Sequence, residues 1–162
     1  DLHSFPTRRS SDLNAVGLLV PLYAQPLSRI SQLTTDRVRQ QPAKVELMLG
    51  SKPLELLQPL DGLILRLVEK RRGHAVIGHT DDHPWLFPGG VPGQHIGAAR
   101  LAHRLKRLGI AHRTSRNTAL MESAAEMPAK VLSDLLGISV DAAVRWGRDA
   151  GNTRPRYAAA VS

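Results

Sequence analysis

Prolines and glycines interrupt the apolar pattern of this chain at short intervals, and these interruptions limit what the chain can fold into. Pro26 stops the first apolar stretch, while Pro128 and Gly137 divide the last third into short pieces. A helix rarely continues through an internal proline, and glycine commonly ends one. Between residues 44 and 57 the apolar residues alternate around the turn sequence Gly50-Ser51-Lys52-Pro53, which is typical of a β-hairpin. The pattern therefore predicts an α+β fold that is mainly helical, with one small hairpin.

The segments between these interruptions have the spacing of amphipathic helices. Asn14 is expected to cap the first helix, and Gly73 is expected to end another one. A segment at residues 27–38 is compatible with a second helix or a turn. The predicted helices cover residues 14–25, 61–72, a stretch that begins at residue 96, and residues 113–126, 128–136 and 140–150. A short strand is expected at residues 75–77, followed by an irregular loop that extends to residue 93.

The first 13 residues differ in character from the remainder. Their sequence, DLHSFPTRRSSDL, resembles along its whole length a translated short-read sequencing adapter. Such a segment is set aside before the fold is considered. We therefore expect residues 1–13 to be a disordered artefact and residues 14–162 to form one domain. Since the chain does not begin with Met, we also expect an N-terminal part of the natural protein to be missing.

Composition narrows the choice of partner. The chain has 22 Lys and Arg residues against 14 acidic residues, a net charge of +8, which favours a polyanionic partner. Aromatic residues make up 4%, too few for a protein that stacks single-stranded bases. No apolar run approaches the ~18 residues of a membrane span, so no membrane partner is expected. The absence of cysteine excludes disulfides and fits a cytoplasmic location.

One predicted helix has a strongly basic face. No acidic residue occurs between Asp82 and Glu122 to balance it, so an ordinary solvated face is a weaker explanation than a DNA contact. A second basic cluster ends the helix of residues 61–72. The predicted DNA-binding residues are Arg100, His103, Arg104 and Arg107, at positions i, i+3, i+4 and i+7 of the first helix, and Arg71 and Arg72 of the second.

Arg113 and Arg116 lie one helical turn apart at the start of a predicted helix. Two guanidinium groups on one side of a helix can hold a phosphate through paired N–H donors. The positive end of the helix dipole adds to this attraction. The pair therefore predicts a phosphate site, although the R-x-x-R pattern alone is weakly specific.

His74, His79 and His83 lie close together in the sequence beside two aspartates. Their spacing of i, i+5 and i+9 across a strand and a loop does not match the rigid helical spacing of metal-binding histidines. We therefore interpret them as ordinary loop histidines and expect no metal site.

Residues 127–150 have the order of a helix-turn-helix, with Gly137 at the turn. The second helix of such a motif enters the major groove of DNA. However, its outward positions, Asp141, Arg145, Arg148 and Asp149, are a mixed set rather than a set of base-reading side chains. An ordinary helical hairpin is an equally good interpretation.

From residue 15 onward, the order of these features resembles the catalytic domain of the tyrosine recombinases, the phage integrase family. Residues 18–38 are similar to that family's first box, and residues 45–57 to its β-hairpin. Residues 85–88, the basic helix and Leu108-Gly109-Ile110 resemble the stretch that precedes its second box, His-x-x-Arg. Residues 131–146, which contain Leu135-Leu136-Gly137, resemble its closing segment. The resemblance implies an integrase-type fold.

In that family a tyrosine attacks a DNA phosphate, two arginines stabilise the charge at phosphorus, and Lys and His transfer protons, without a metal or another cofactor. By position, Arg116 resembles the second-box arginine, and Arg113 stands where His is usual. Arg29 is the nearest match to the first-box arginine. Lys52, in the hairpin turn, resembles the general-acid lysine. The resemblance thus implies that these four residues surround a DNA phosphate.

Two positions depart from the family pattern. Ile138 stands in place of the His that follows Leu-Leu-Gly, and Trp146 is at about the position of the nucleophilic Tyr. Tyr157, eleven residues later, is the remaining nucleophile candidate, and it would need to fold back or act on a neighbouring copy. A tyrosine that only packs in the C-terminal tail is the alternative.

The resemblance implies site-specific DNA recombination or integration on double-stranded DNA, with a homo-oligomer on the DNA and no small-molecule cofactor. Two alternatives remain open. One is a descendant that binds DNA without cleaving it. The other is a helix-turn-helix regulator centred on residues 133–148.

Overall fold

The computed structural model describes residues 8–75 and 84–159, with side chains for residues 12–71 and 84–151. The first half of the described chain contains three helices and all three strands, and the second half is helical. The elements are α1 (Arg8–Tyr23), α2 (Leu27–Ile30), a 3-10 helix (Thr35–Arg37), β1 (Val38–Gln40), β2 (Val45–Leu47), β3 (Leu54–Glu55), α3 (Leu60–Ala75), α4 (Ala98–Arg107), α5 (His112–Glu126), α6 (Ala129–Leu136) and α7 (Val140–Ala159).

The three strands form one antiparallel sheet in the order β1-β2-β3. Val38 pairs with Leu47 across the first two strands, and Leu47 pairs with Leu54 across the second pair. The predicted hairpin at residues 44–57 is confirmed as β2 and β3. With the helices, the sheet confirms the predicted α+β class with mainly helical content.

The core lies where α1 meets the other long helices. α1 packs against α3, α4 and α5, and α5 packs against α6 and α7. Apolar residues three or four positions apart share one helix face, which explains why each helix buries one side. In α4, for example, Leu101 and Leu105 are buried, while Leu108 just beyond the helix is 58% exposed. The packing turns the basic side of α4 outward.

The predicted disorder of residues 1–13 is wrong for residues 8–13, which belong to α1. Leu13 packs against the core, and Asp12 forms an ion pair with Arg71 of α3. Asn14 is accordingly an interior residue of α1 and not its cap. The remaining residues of the segment, 1–7, lie outside the described residues.

Three further boundaries differ from the prediction. α3 continues through Gly73 to Ala75, because its buried apolar face outweighs the cost of one helical glycine, about 1 kcal/mol. The segment at residues 27–38 forms a short helix, a 3-10 turn and the start of β1, a strand that the apolar spacing did not indicate. α7 extends to Ala159 and not only to residue 150. Of the strand predicted at residues 75–77, residue 75 is helical and the other two lie outside the described residues.

Candidate phosphate-binding site

Arg29 lies on α2, at the contact between the sheet and the end of α6. Leu27 and Ile30 anchor this short helix in the core, so that Arg29 is on its exposed side. Its Nη1 donates to the carbonyl oxygens of Leu136 (3.1 Å) and Gly137 (2.7 Å), and its Nη2 donates to that of Leu49 (2.9 Å). The guanidinium is therefore held in one orientation although its side chain is exposed.

Two glycines allow this close approach. Gly137 ends α6 in the left-handed conformation (φ +72°), and a Cβ there would lie 2.6 Å from Nη1 of Arg29. A Cβ on Gly50 would overlap the carbonyl oxygen of Asp134. Only glycine fits where backbone or a guanidinium comes this near. The sheet and α6 are thus in backbone contact beside Arg29.

Arg116 reaches the same region from α5. Its Nε donates to the carbonyl oxygen of Ala24 (3.1 Å), just beyond α1. Partial burial lowers the pKa of Arg116, and the positive charge of Arg29 lowers it further. In the part of the chain that the structure describes, neither arginine forms an ion pair with a carboxylate.

Among the described residues, backbone carbonyl groups and no carboxylate contact the Arg29 and Arg116 guanidiniums, so their formal charges are not neutralised. Like charges at short range repel, most strongly where burial lowers the effective dielectric. An anion placed between them would relieve the repulsion and accept paired N–H donors. The two guanidiniums are therefore a candidate anion-binding site.

Lys52 is at the turn between β2 and β3, on the same side of α6. Its backbone N–H donates to the carbonyl oxygen of Asp134 (3.0 Å), while its Nζ is 4.0 Å from the Asp134 carboxylate and 69% exposed. Asp134 also accepts from Lys130 (2.7 Å) and Ser51 (3.1 Å). The hydrogen bond from Lys130 is the main cause of the lowered pKa of Asp134. Lys52 thus shares the Asp134 carboxylate with Lys130 and Ser51.

Arg113 is exposed one turn before Arg116, but it faces a different element. It lines a cleft of about 330 Å³ together with His103 and Lys106 of α4 and His112 at the start of α5. The structure therefore separates the two arginines that their sequence spacing placed together: Arg116 lies beside Arg29, and Arg113 lies beside α4.

Three of the six predicted DNA-binding residues are exposed. Arg100, His103 and Arg107 are exposed on α4, and Arg104 is half-buried. Arg71 differs from this expectation. Its side chain is 12% exposed, and it pairs with Asp12 (3.5 Å) and donates to the carbonyl oxygen of Leu86 (3.3 Å). Burial lowers the pKa of Arg71 and, against the attraction of Arg71, raises the pKa of Asp12.

Arg71 is therefore occupied within the fold, a placement that disfavours the predicted DNA contact. The side chain of Arg72 lies outside the described residues. So do the side chain of His74 and the whole of residues 76–83, which include His79, His83 and the two neighbouring aspartates. Among the residues whose side chains are described, no three His, Asp or Glu side chains come close enough to hold a metal ion.

The residues near the family's histidine and tyrosine positions are structural in character. Ile138 and Trp146 are partly buried against the core. Tyr157 belongs to the last turns of α7, and its side chain lies outside the described residues. In a continuous helix it is about 25 Å along the axis from Val140, the first residue of α7.

Sequence reasoning missed Gln25, which is next to this site. It lies between α1 and α2, it is 1% exposed, and its Nε2 donates to the carbonyl oxygens of Tyr23 (2.9 Å) and Leu136 (3.3 Å). A cleft of about 170 Å³ is lined by Gln25, Arg29, Gln32 and Arg37. The available signal was a polar residue before Pro26 in an otherwise apolar segment.

None of the helices in the described ranges has the length and apolar character needed to cross a membrane. Comparison of the chain with protein-family models, curated proteins and solved structures found no match.

Proposed function

We propose that this chain is a double-stranded DNA-binding domain of the integrase type, and that Arg29 and Arg116 hold a DNA phosphate. The observation that carries the proposal is that backbone carbonyl groups of the α1–α2 link, the sheet and the end of α6 hold both guanidiniums, while neither has an acidic partner among the described residues. A phosphodiester supplies the missing negative charge and accepts two N–H donors from each arginine.

The surrounding charge supports a long polyanion over a small anion. The exposed basic residues of α4 extend the positive surface, Arg113 lies between them and Arg116 along the chain, and the net charge is +8. DNA presents phosphates at regular intervals, so several separate cations can bind it together. A cytoplasmic location and a homo-oligomer on the DNA are also part of the proposal.

DNA binding is better supported than strand cleavage by the same chain. Trp146 cannot form a phosphotyrosine, and the side chain of Tyr157 lies outside the described residues. Recombination would require Tyr157 to reach the arginine pair, either by folding back in its own chain or from a second copy on the DNA. A suicide DNA substrate tests this second candidate: a covalent adduct that Tyr157→Phe abolishes would establish cleavage, and no adduct would leave a binding protein.

Binding of a duplex DNA is tested by fluorescence anisotropy over a series of salt concentrations. We expect the affinity to fall steeply with salt, and the double variant Arg113→Ala/Arg116→Ala to reduce the slope of log K against log salt by about two, since each phosphate contact contributes ~0.9. Circular dichroism confirms that the variant is folded.

A matched control removes the same charge from α7. Arg145 and Arg148 are both exposed there, and the proposal expects Arg145→Ala/Arg148→Ala to bind almost as the parent does. Retained binding in the Arg113/Arg116 variant together with lost binding in the α7 variant would refute the proposal and favour the helix-turn-helix regulator.

A further inference from the structure

Gln25 is a polar residue in an interior position. Its side chain is buried (1% exposed), in the short link between α1 and α2. Its carboxamide donates twice, to the carbonyl oxygens of Tyr23 (2.9 Å) and Leu136 (3.3 Å). It therefore connects the end of α1 to the end of α6, two elements far apart in the sequence.

Both contacts belong to the surroundings of the arginine pair. The Leu136 carbonyl oxygen that accepts from Gln25 also accepts from Nη1 of Arg29 (3.1 Å). The residue before Gln25 is Ala24, whose carbonyl oxygen accepts from Nε of Arg116 (3.1 Å). Ala24 thus supplies the acceptor for Arg116, and Gln25 shares the Leu136 acceptor with Arg29.

The backbone at this link is also unusual. Ala24 has a φ of +53° although it is not a glycine. Such a conformation is unfavourable for a residue with a Cβ and persists only where the surroundings impose it. With this backbone conformation, the Ala24 carbonyl group points toward Arg116 and accepts from its Nε. On the other side of Ala24, the Gln25 side chain donates to the carbonyl oxygen of Tyr23.

The orientation of the carboxamide indicates which of its atoms matter. Oε1 of Gln25 has no hydrogen-bond partner among the described residues. Reversing the amide would place this oxygen against two carbonyl oxygens, so the NH2 group must face them. An apolar side chain would fill the same space without leaving a buried acceptor unpaired. The presence of a glutamine here, in spite of its unpaired oxygen, indicates that the position requires N–H donors for the carbonyl oxygens of Tyr23 and Leu136.

From these contacts we infer that Gln25 is a positioning residue for the arginine pair. By donating to the carbonyl oxygens of Tyr23 and Leu136, it sets the backbone groups that orient Arg116 and Arg29, and so it sets the spacing at which the two guanidiniums receive a phosphate. This inference rests on the proposed DNA-binding function for its ligand, and on the hydrogen bonds alone for its geometry.

The test compares Gln25→Met with Gln32→Met in the full chain. Gln32 is exposed and lines the same cleft, so its variant controls for the loss of a glutamine near Arg29. With a duplex DNA, we expect Gln25→Met to lower the affinity about tenfold and the salt slope by about one, because one guanidinium loses its alignment. Gln32→Met should match the parent. Both are measured at a temperature where circular dichroism shows the fold intact.

A purely structural role would lower the melting temperature of Gln25→Met and leave the salt slope of the folded protein unchanged, and that result would overturn the inference. A second readout needs no DNA. In nitrogen-15 spectra, the hydrogen-bonded Nε–H of Arg116 should give a sharp signal in the parent that broadens or shifts in Gln25→Met and not in Gln32→Met.

The two readouts separate the inference from the proposed function. A parent chain that fails to bind DNA refutes the function, and the arginine signal then decides the inference alone. An unchanged Arg116 signal in Gln25→Met overturns the inference even where the parent binds DNA.

Discussion

Replacing Gly137 with alanine tests how tightly Arg29 is held against the end of α6. Gly137 and Gly109 both have a left-handed backbone, with φ of +72° and +75°. They differ in their surroundings. A Cβ on Gly109 would meet no atom within 4 Å, whereas a Cβ on Gly137 would overlap the carbonyl oxygen of Leu49 and lie 2.6 Å from Nη1 of Arg29. Gly109→Ala is therefore a matched control for the backbone cost alone.

The expected magnitudes follow from these contacts. The left-handed conformation costs an alanine about 1 kcal/mol at either site. At Gly137 the guanidinium must also move, and it makes three hydrogen bonds to the carbonyl oxygens of Leu136, Gly137 and Leu49. Because Arg29 is exposed, we take the lower part of the usual range and assign about 2 kcal/mol to the three together. Gly137→Ala should then lose about 3 kcal/mol of unfolding free energy and Gly109→Ala about 1 kcal/mol.

Urea denaturation followed by circular dichroism measures both losses. For a chain of this size, the difference corresponds to a melting temperature lower by roughly 6 °C in Gly137→Ala than in Gly109→Ala. Gly137→Ala should also weaken binding to duplex DNA, since it displaces one of the two arginines that we propose to hold a phosphate. Losses that agree within about 0.5 kcal/mol would refute the close packing of Arg29 on Gly137.

Two further predictions concern acidic residues. Asp134→Asn should tighten DNA binding severalfold at low salt, because it removes a negative charge 4.0 Å from Nζ of Lys52, and weaker binding in an anisotropy titration would contradict this. Asp12 has a pKa raised by burial, so the folded state binds its proton more tightly than the unfolded state, and Asp12 lowers stability as the pH rises through the folded pKa. Asp12→Asn should therefore be more stable than the parent at pH 7 and equally stable below the ordinary pKa of 3.8. If urea denaturation at pH 7 instead gives a lower midpoint for Asp12→Asn than for the parent, the ion pair with Arg71 outweighs the cost of burying Asp12.

Local patterns predicted much of the architecture. The apolar residues of α4 recur at helical spacing, the turn residues around Lys52 separate alternating segments, and Gly137 ends a helix, so these elements could be predicted from their own residues. β1 could not be predicted in this way, since its three residues form a strand only through pairing with β2. The predicted helix end at Gly73 was wrong for a related reason. The buried face of α3 determines where that helix ends, and its burial depends on packing against α1.

The candidate site shows the same division between local and tertiary information. Arg29, Lys52, Arg113 and Arg116 were predicted from motif position. Arg29 and Lys52 contact the end of α6, whereas Arg116 contacts Ala24 after α1 and Arg113 lines the cleft beside α4. Motif position did not indicate which of them has an acidic partner. Lys52 shares Asp134, while Arg29 and Arg116 face each other's charge. A polar residue before Pro26 in an apolar segment was the one local signal for Gln25, and its burial and its contact with Leu136 depend on the tertiary structure.

By itself, the sequence determined the mainly helical α+β class, the excess of positive charge and the basic face of α4, because helix periodicity, turn residues and charge are local properties. The tertiary structure alone decided which cations are available. It paired Arg71 with Asp12, turned Arg113 toward α4, and brought Arg116 close enough to Arg29 for the two charges to interact. The physical reason is that a charge is neutralised or left uncompensated by its neighbours in space, and the packing of α1, α5 and α6 brings together neighbours that lie far apart along the chain.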